Sequence, residues 1–328
     1  MRVLIIGGGS IGKRHINNLR SLGHRQIWVL KRQKDADFES NFNVNVVTSF
    51  QEASTIELDS VFVCTPTSLH NDALAFAVSN QLHIFMEKPL IHDEKGLEIA
   101  KQLMLQNQKL FFIGFMLRYH PIVKQIKAIL DSNELGAIYA ARFEFGSYLP
   151  YWHPWEDYRI SYAARKALGG GVINTITHEL DLVQHFFGRP ESVYCQSSNF
   201  HRLGIDVEEL AEAIFEYDDK MVTLHLDYFQ KDYDRQIRIL GENGKITWSW
   251  HDNFAIIQLH KKEAKKILAP ESFEVNQLYI DELQDFINLI QAGKTNHALG
   301  FNHAVLNTQL MLSMHESSSM GKKVYVNL

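Results

Sequence analysis

Short apolar runs recur through the first third of the chain, and segments with a helical pattern lie between most of them. In one such segment Leu69, Ala73, Phe76 and Ala77 fall on one helix face. Continuous apolar runs that alternate with helices are typical of a parallel sheet covered on both faces. Right-handed crossovers make this a doubly wound α/β fold, with the ligand at the carboxyl ends of the strands. The runs lie at residues 3–6, 27–30, 44–47, 61–64, 84–86 and 110–113.

The pattern changes from Pro121 onward. One helix leads into a segment in which Phe143 and Phe145 alternate with charged residues, which predicts a half-buried strand. Consecutive short strands then predict an α+β domain with an open, mainly antiparallel or mixed sheet. We therefore expect two domains, at residues 1–118 and 119–328. The later elements are strands near 192–197, 209–217, 220–229, 234–240, 245–249, 255–260 and 324–326, and helices near 170–187, 279–292 and 302–317.

Composition narrows the class of protein. The 328 residues are 45% hydrophobic and 22% charged, which is ordinary for a globular protein. The formal net charge is −5 without a long basic run, so we expect no nucleic-acid partner. No stretch reaches the ~20 apolar residues that span a bilayer, and the first apolar run is too short for a signal peptide. Cys64 and Cys195 are the two cysteines, which fits a reducing compartment and predicts a cytoplasmic protein without a membrane partner.

A glycine pattern follows the first apolar run without a gap. Gly7, Gly9 and Gly12 form Gly-x-Gly-x-x-Gly, and a helical pattern begins directly after it. In such a turn the first glycine allows a tight bend, the second lets phosphates approach, and the third permits close helix–strand packing. The N–H groups at the helix start, around Ser10 and Ile11, then face an anion. This segment predicts a dinucleotide-binding site.

Two cations follow the second apolar run. Lys31 and Arg32 lie about twenty residues past Gly12, where an NAD-specific fold usually places an acid on the ribose diol. Two cations suit the 2′-phosphate of NADP, whereas a surface loop is the alternative interpretation. We therefore expect NADP to be preferred over NAD.

Lys88 follows the fifth apolar run and precedes Pro89. A lysine after a strand is ordinarily a solvated loop residue. This strand, however, is expected to end near the nicotinamide half of the site, where a lysine can donate to a substrate oxygen and bear developing charge. Lys88 is therefore a candidate catalytic and substrate-binding residue.

Polar residues recur along the helix predicted near 170–187. Asn174, His178, Asp181 and His185 lie within roughly 60° of one another on a helical wheel. One interpretation is a solvated helix face. Another is a metal site formed by His178, Asp181 and His185 at one-turn spacing. Because a nicotinamide dehydrogenase needs no metal, we predict none.

The ordered set of motifs resembles the Gfo/Idh/MocA oxidoreductases, the glucose–fructose oxidoreductase and inositol dehydrogenase family. The resemblance covers essentially the whole chain. Its motifs are Gly7-x-Gly9-x-x-Gly12, Thr65-Pro66-x-x-x-His70, Glu87-Lys88-Pro89, Gly169-Gly170-Gly171 and His178-x-x-Asp181.

This resemblance implies residue roles. Lys88 would be the catalytic lysine and His178 the histidine that transfers the proton. The strand-end motifs would contribute Thr65, Pro66, His70, Glu87 and Lys88 to the cofactor site, with the part played by His70 left open. The family acts on a sugar or cyclitol carbon with NAD or NADP, often as a homodimer or homotetramer built through the open face of the second sheet.

One position departs from the family pattern. Sugar-oxidising members often carry aspartate four residues before the histidine, where this chain has Asn174. Asparagine can orient a neighbour but cannot stabilise a charged lysine or histidine as a carboxylate does. Either Asp181 supplies that charge or the chemistry differs. Asn174 and Asp181 are therefore both candidate catalytic residues.

An aromatic loop at residues 148–158 and nearby cations suggest how substrate binds. The loop either covers the core or a subunit interface, or it packs against the C–H faces of a sugar. Arginines beside it suit an acidic or phosphorylated substrate. The candidate substrate-binding residues are Arg118, Tyr151, Trp152, His153, Trp155, Arg159, Arg165, Asn174 and His178.

The sequence thus predicts an NAD(P)-dependent oxidoreductase of a sugar, cyclitol, sugar acid or nucleotide sugar, acting on CH–OH. Two alternatives stay open. One is a non-enzymatic NADP-binding sensor or scaffold, which Asn174 favours. The other is a metal-dependent hydrolase that uses His178, Asp181 and His185.

Overall fold

The structure is a computed structural model that describes residues 1–326. Contacts divide the chain into two compact units. The first unit combines Met1–Met116 with Val275–Val305, and the second combines Leu117–Glu274 with the segment from Leu306 onward. The sequence predicted two continuous domains that meet near residue 118. The contacts instead assign the late segment Val275–Val305 to the first unit.

The elements of residues 1–116 alternate between strands and helices, as predicted. They are β1 (Val3–Ile6), α1 (Ser10–Ser21), β2 (Ile27–Leu30), α2 (Ala36–Phe42), β3 (Asn45–Val47), α3 (Phe50–Ala53), β4 (Ser60–Val63), α4 (His70–Ser79), β5 (His83–Glu87), α5 (Glu94–Met104) and β6 (Phe111–Gly114).

The later elements are mostly strands. They are α6 (Pro121–Asp131), β7 (Ile138–Gly146), α7 (Val172–Thr175), α8 (Thr177–Phe187), β8 (Ser192–Ser198), β9 (Leu210–Glu216), β10 (Met221–Asp227), β11 (Asp234–Gly241), β12 (Gly244–Ser249), β13 (Phe254–Leu259), β14 (Lys265–Leu268), α9 (Val275–Gln291), α10 (Phe301–Met320) and β15 (Val324–Tyr325). The sequence did not predict β14.

The first sheet is parallel and has the order β3-β2-β1-β4-β5-β6. This confirms the predicted doubly wound fold. In such a sheet the carboxyl ends of neighbouring strands meet at one edge. Gly7, Cys64 and Lys88 follow β1, β4 and β5, three neighbouring strands, and therefore lie along that edge.

The second sheet has nine strands in the order β14-β13-β12-β11-β7-β10-β9-β8-β15. All neighbours are antiparallel except β7 and β10. This confirms the predicted mixed, mainly antiparallel sheet. Its strands alternate buried and more exposed residues, as in β11, so one face packs on the core.

An aromatic cluster explains why α9 joins the first unit. Phe286 of α9 makes edge contacts with Phe62, Phe85 and Phe112, with ring centroids 5.5–5.8 Å apart. All four side chains are fully buried. Aromatic pairs of this geometry add to the hydrophobic gain from burial, so α9 completes the core of the parallel sheet.

The prediction of a single helix near 170–187 is wrong, because this segment forms two helices. It is broken at Ile176, whose φ of −99° and ψ of 58° are not helical, and α7 and α8 lie on either side. Residues 173–177 are four β-branched residues and an asparagine, all of low helix propensity, which favours a break there. Asn174 therefore lies on α7, apart from His178, Asp181 and His185 on α8. Nor is this a solvated face, because Asn174 and Asp181 are buried.

None of the helices within residues 1–326 combines the length and the apolar character of a bilayer-spanning segment.

Candidate active site

The turn after β1 requires glycine at two positions. Gly7 has a φ of +107°, and a Cβ there would lie 2.6 Å from the carbonyl oxygen of Cys64. A Cβ on Gly12 would lie 2.1 Å from the carbonyl oxygen of Gly7. Any other residue at either position would collide with backbone. The turn is thus held tightly between α1 and the neighbouring strand β4.

The same turn is open where a ligand would approach. A Cβ built on Gly9 meets no atom within 4 Å, and Gly9 and Ser10 are exposed. Gly9 caps α1 without a side-chain hydrogen bond, so no capping side chain satisfies the first N–H groups of the helix. Thr65, past the end of β4, has a buried Oγ1 without a hydrogen-bond partner among the described residues. These features fit a dinucleotide pyrophosphate.

The strand that ends before Lys88 is tied to α1. Glu87 Oε1 lies 2.7 Å from His15 Nε2, and the fully buried imidazole packs against Phe62 and Phe85. Lys88 itself is half-buried. His15 did not stand out in the sequence, although it shares the buried face of α1 with Gly12, Ile16 and Leu19.

His70 links the two turns that follow β4 and β5. Its Nδ1 lies 3.0 Å from the carbonyl oxygen of Leu90, and its Nε2 lies 3.1 Å from that of Thr65. Burial lowers the pKa of His70, so the ring is neutral at pH 7 and donates to one carbonyl at a time. His70 thus holds backbone beside the predicted cofactor site, and a direct cofactor contact stays a prediction.

Within the second unit, two predicted residues pair with each other. Arg118 Nε and Nη2 donate to the two carboxylate oxygens of Asp181 at 2.9 and 2.7 Å. Asp181 is fully buried, and 11% of the Arg118 side chain is exposed. The structure gives Asp181 a cationic partner other than His178. Its predicted role as the missing carboxylate stays a prediction.

Asn174 is held through both atoms of its amide. Its Nδ2 donates to the carbonyl oxygen of Gly170 at 3.0 Å, and His315 Nε2 donates to its Oδ1 at 2.7 Å. Burial, with a smaller contribution from Lys166, lowers the pKa of His315 to about 4. A neutral imidazole therefore orients Asn174. No local sequence signal identifies His315, because it comes 141 residues later in the chain.

A second buried ion pair anchors α8 beside His178. Arg235 Nε donates to Glu179 Oε1, and both side chains are at most 5% exposed. The guanidinium also packs over Phe145 and Trp250, with its carbon 4.7 and 5.0 Å from the ring centroids. His178, the next residue, is half-buried. Nothing in the sequence marked this pair, because its members lie 56 residues apart in the chain.

Glu208 explains the glycine at the start of α7. It accepts a hydrogen bond from the N–H of Ile173 at 3.2 Å. Gly171 has a φ of +114°, and a Cβ there would lie 2.3 Å from Glu208 Oε1. Burial raises the pKa of Glu208 to about 7. Nothing in the sequence marked this carboxyl group, because its burial and its contact with Ile173 come from the fold.

The aromatic loop divides into packed and exposed side chains. Trp152 Nε1 donates to Ser147 Oγ at 2.9 Å, and its ring meets Tyr228 edge-on at 5.5 Å. Trp155 and Tyr151 are instead 74% and 60% exposed. Trp152 therefore packs on its own unit, and the other two present aromatic surface to solvent.

The remaining substrate candidates lie near this loop. His153 is half-buried, with its ring 5.1 Å from that of Trp155. Arg159 is exposed and pairs with Asp157, and Arg165 is exposed. Contacts of these residues with a substrate stay predictions.

The metal alternative rests on His178, Asp181 and His185. Residues 1–326 contain no group of three or more His, Cys, Asp or Glu side chains placed to hold a metal ion. The three side chains therefore do not form a ligand set.

Two sequence profiles match the chain. The profile described as the oxidoreductase family with an NAD-binding Rossmann fold matches residues 1–115, and that of the GFO/IDH/MocA C-terminal domain matches residues 123–247. Together they cover most of the chain, with the whole first sheet and strands β7 to β11 of the second.

Curated relatives and solved structures agree with these matches. An inositol 2-dehydrogenase/D-chiro-inositol 3-dehydrogenase from Lacticaseibacillus casei is 24% identical over 320 residues, which is 92% of this chain and 86% of the relative. D-xylose 1-dehydrogenase (NADP(+)) 2 from Haloferax volcanii is 24% identical over 73% of this chain and 71% of its own. A solved structure of levoglucosan dehydrogenase in complex with NADH has a TM-score of 0.90 at 16% identity, covering 100% and 99% of the two chains. The chain belongs to the Gfo/Idh/MocA family of NAD(P)-binding oxidoreductases.

Proposed function

We propose that this protein transfers a hydride between nicotinamide and a carbinol or carbonyl carbon of a sugar-like substrate. The observation that supports it best is the position of Lys88. It follows a strand on the same sheet edge as the open glycine turn, so a cation lies along the edge that binds ligands in this fold. When bound, the nicotinamide accepts or supplies the hydride.

The residues of the chain manage the substrate oxygen and its proton. In the oxidative direction Lys88 donates a hydrogen bond to the reacting oxygen, and His178 takes the hydroxyl proton as the hydride leaves the same carbon. Asn174, fixed by His315, orients groups beside the substrate. Asp181 holds Arg118, and this pair binds and positions the substrate.

We propose that NADP is the preferred cofactor and that NAD is also accepted. Lys31 and Arg32 follow β2, where the 2′-phosphate would lie. The name of the Haloferax volcanii relative includes NADP(+), and the levoglucosan dehydrogenase structure contains NADH. Both dinucleotides are therefore used within the group of similar proteins.

We propose a sugar, cyclitol, sugar acid or nucleotide sugar as the substrate. The exposed rings of Tyr151 and Trp155 provide flat apolar surfaces of the kind that C–H faces of sugars pack against. His153, Arg159 and Arg165 add polar groups for hydroxyls or an acid. The relatives named for inositol and D-xylose support this class.

We also propose a homodimer or homotetramer in the cytoplasm. Tyr194 and Ile214 are paired neighbours on β8 and β9 and are 41% and 43% exposed. Apolar side chains side by side on an open sheet face are typical of a surface that is covered in an oligomer.

The direct test is a turnover screen. The protein is incubated with NADP⁺ or NAD⁺ and with cyclitols, aldoses, sugar acids and nucleotide sugars in turn, while the absorbance of reduced nicotinamide is recorded. We expect turnover with at least one class and a thermal shift from the same compound. A protein that binds the dinucleotide and a sugar but reduces no cofactor would instead be a sensor, the alternative that Asn174 favours.

A further inference from the structure

Lys31, one of the two cations predicted to hold the 2′-phosphate, is part of the wall of the glycine turn. A Cβ built on Gly8 would lie 3.5 Å from Lys31 Cδ and 3.4 Å from Phe38 Cζ. The Lys31 ammonium lies 4.0 Å from the centroid of the Phe38 ring. Its position is thus set by packing against the turn and by a cation–π contact.

Asp35 holds the same ammonium group from the other side. Lys31 Nζ donates to Asp35 Oδ2, and the two side chains are 21% and 36% exposed. Asp35 Oδ1 accepts the N–H of Phe38 at 3.0 Å and so caps α2. The hydrogen bond from Lys31 is the largest cause that lowers the pKa of Asp35. At neutral pH the pair is therefore a carboxylate and an ammonium that neutralise each other.

We propose that Asp35 determines cofactor choice by competing with the 2′-phosphate for Lys31. A dinucleotide that carries this phosphate must bring a second anion beside Asp35 and take over its cation. A dinucleotide with a 2′-hydroxyl leaves the pair intact. Asp35 thus weakens the preference for NADPH that Lys31 and Arg32 alone would create, which leaves NADH usable. The inference rests on the proposed use of a nicotinamide dinucleotide.

The substitution Asp35→Asn separates charge from structure. Asparagine caps helices as well as aspartate does, so α2 keeps its cap while the carboxylate charge is lost. Lys31→Met keeps an apolar stem against Gly8 and Phe38. Asp37→Asn is the matched control, because Asp37 is an exposed acid in the first turn of the same helix.

The experiment is calorimetric titration of each protein with NADPH and with NADH, compared as the ratio of the two dissociation constants. Because both ligands are measured on one preparation, any inactive fraction cancels. We expect Asp35→Asn to shift the ratio toward NADPH by about tenfold, as a charge-assisted hydrogen bond is released for the phosphate. In the Lys31→Met background the same substitution shifts the ratio much less, and Asp37→Asn leaves it unchanged.

Three outcomes would overturn the inference alone: an unchanged ratio in Asp35→Asn, an equal shift with Asp37→Asn, or an equal shift with and without Lys31. Binding of neither dinucleotide by the parent protein would overturn the proposed function itself, and this inference with it.

Discussion

His315 is a buried histidine whose proton affinity makes stability depend on pH. Its pKa is about 4 in the folded protein, against an ordinary value of 6.5. Between these values the unfolded chain binds the proton and the folded chain does not. The free energy of unfolding therefore falls as the pH drops from about 6.5 to about 4. Above pH 6.5 neither state binds this proton, and His315 causes no loss of stability.

We expect His315→Gln to reduce this loss of stability. Between pH 7 and pH 4.5 the variant should lose about 2 kcal/mol less than the parent, as the change in one pKa of this size implies. Urea denaturation at the two pH values measures the difference, and His260→Gln, at an exposed histidine, serves as the control. An equal loss in the parent and in His315→Gln would show that the pKa of His315 is the same in the folded and unfolded chains.

At the residue scale, the sequence is informative where a residue's environment comes from its neighbours in the chain. The glycines of the first turn follow from a strand and a helix that adjoin them. His315 and Asp35 did not stand out, because their roles depend on partners that folding supplies. Nothing in the sequence pairs His315 with Asn174, and Asp35 is significant only because a loop turns it back onto Lys31.

Helix α8 is fixed by two buried ion pairs, Glu179–Arg235 and Asp181–Arg118. Removing one member of such a pair leaves an uncompensated charge in the core, which costs more than the pair contributes. His178 directly precedes Glu179 on the same helix, so its position depends on both arginines.

Arg235→Met should lower the free energy of unfolding by about 3–5 kcal/mol. Adding Glu179→Gln should recover part of that loss, because the stranded carboxylate becomes neutral. Chemical denaturation of both variants measures this. The exposed ion pair between Arg159 and Asp157 provides a control. Arg159→Ala should leave the free energy of unfolding unchanged. A double variant no more stable than Arg235→Met would contradict the account.

The aromatic loop offers a cleaner test of substrate contact at Trp155 than at Trp152. Because Trp152 packs on Tyr228, its removal also damages the fold. Trp155→Ala removes an exposed ring and should raise KM for the sugar at least severalfold, with cofactor affinity and melting temperature unchanged. Steady-state kinetics and dinucleotide titration measure these quantities. Unaltered kinetics with an altered oligomeric state would assign the loop to an interface instead.

Two elements could not be predicted from the hydrophobic pattern of the sequence. The apolar spacing of residues 172–187 continues smoothly across Ile176, so it predicted one helix where backbone geometry makes two. The edge strand β14 begins with two lysines in a lysine-rich segment and was missed, because its strand conformation comes from pairing with β13. Both errors arise from tertiary contacts that override local preference.

For the whole molecule, apolar runs that alternate with helices predicted the parallel sheet, and consecutive short strands predicted the mixed sheet. The assignment of α9 to the first unit could not be predicted from chain order. It depends on Phe286 filling the gap among Phe62, Phe85 and Phe112, three side chains on separate strands. The central claim at this scale is the proposed role of Lys88 in turnover.

The most direct test of that claim compares Lys88→Met with the parent on the fastest substrate from the turnover screen. We predict that the rate of cofactor reduction falls by at least ~10²-fold, as loss of a positioned proton donor implies. The dissociation constant for the dinucleotide should stay close to the parent value, because the glycine turn holds the pyrophosphate. Lys95→Met, at an exposed lysine, controls for loss of charge. Turnover by Lys88→Met within a few-fold of the parent would contradict the account.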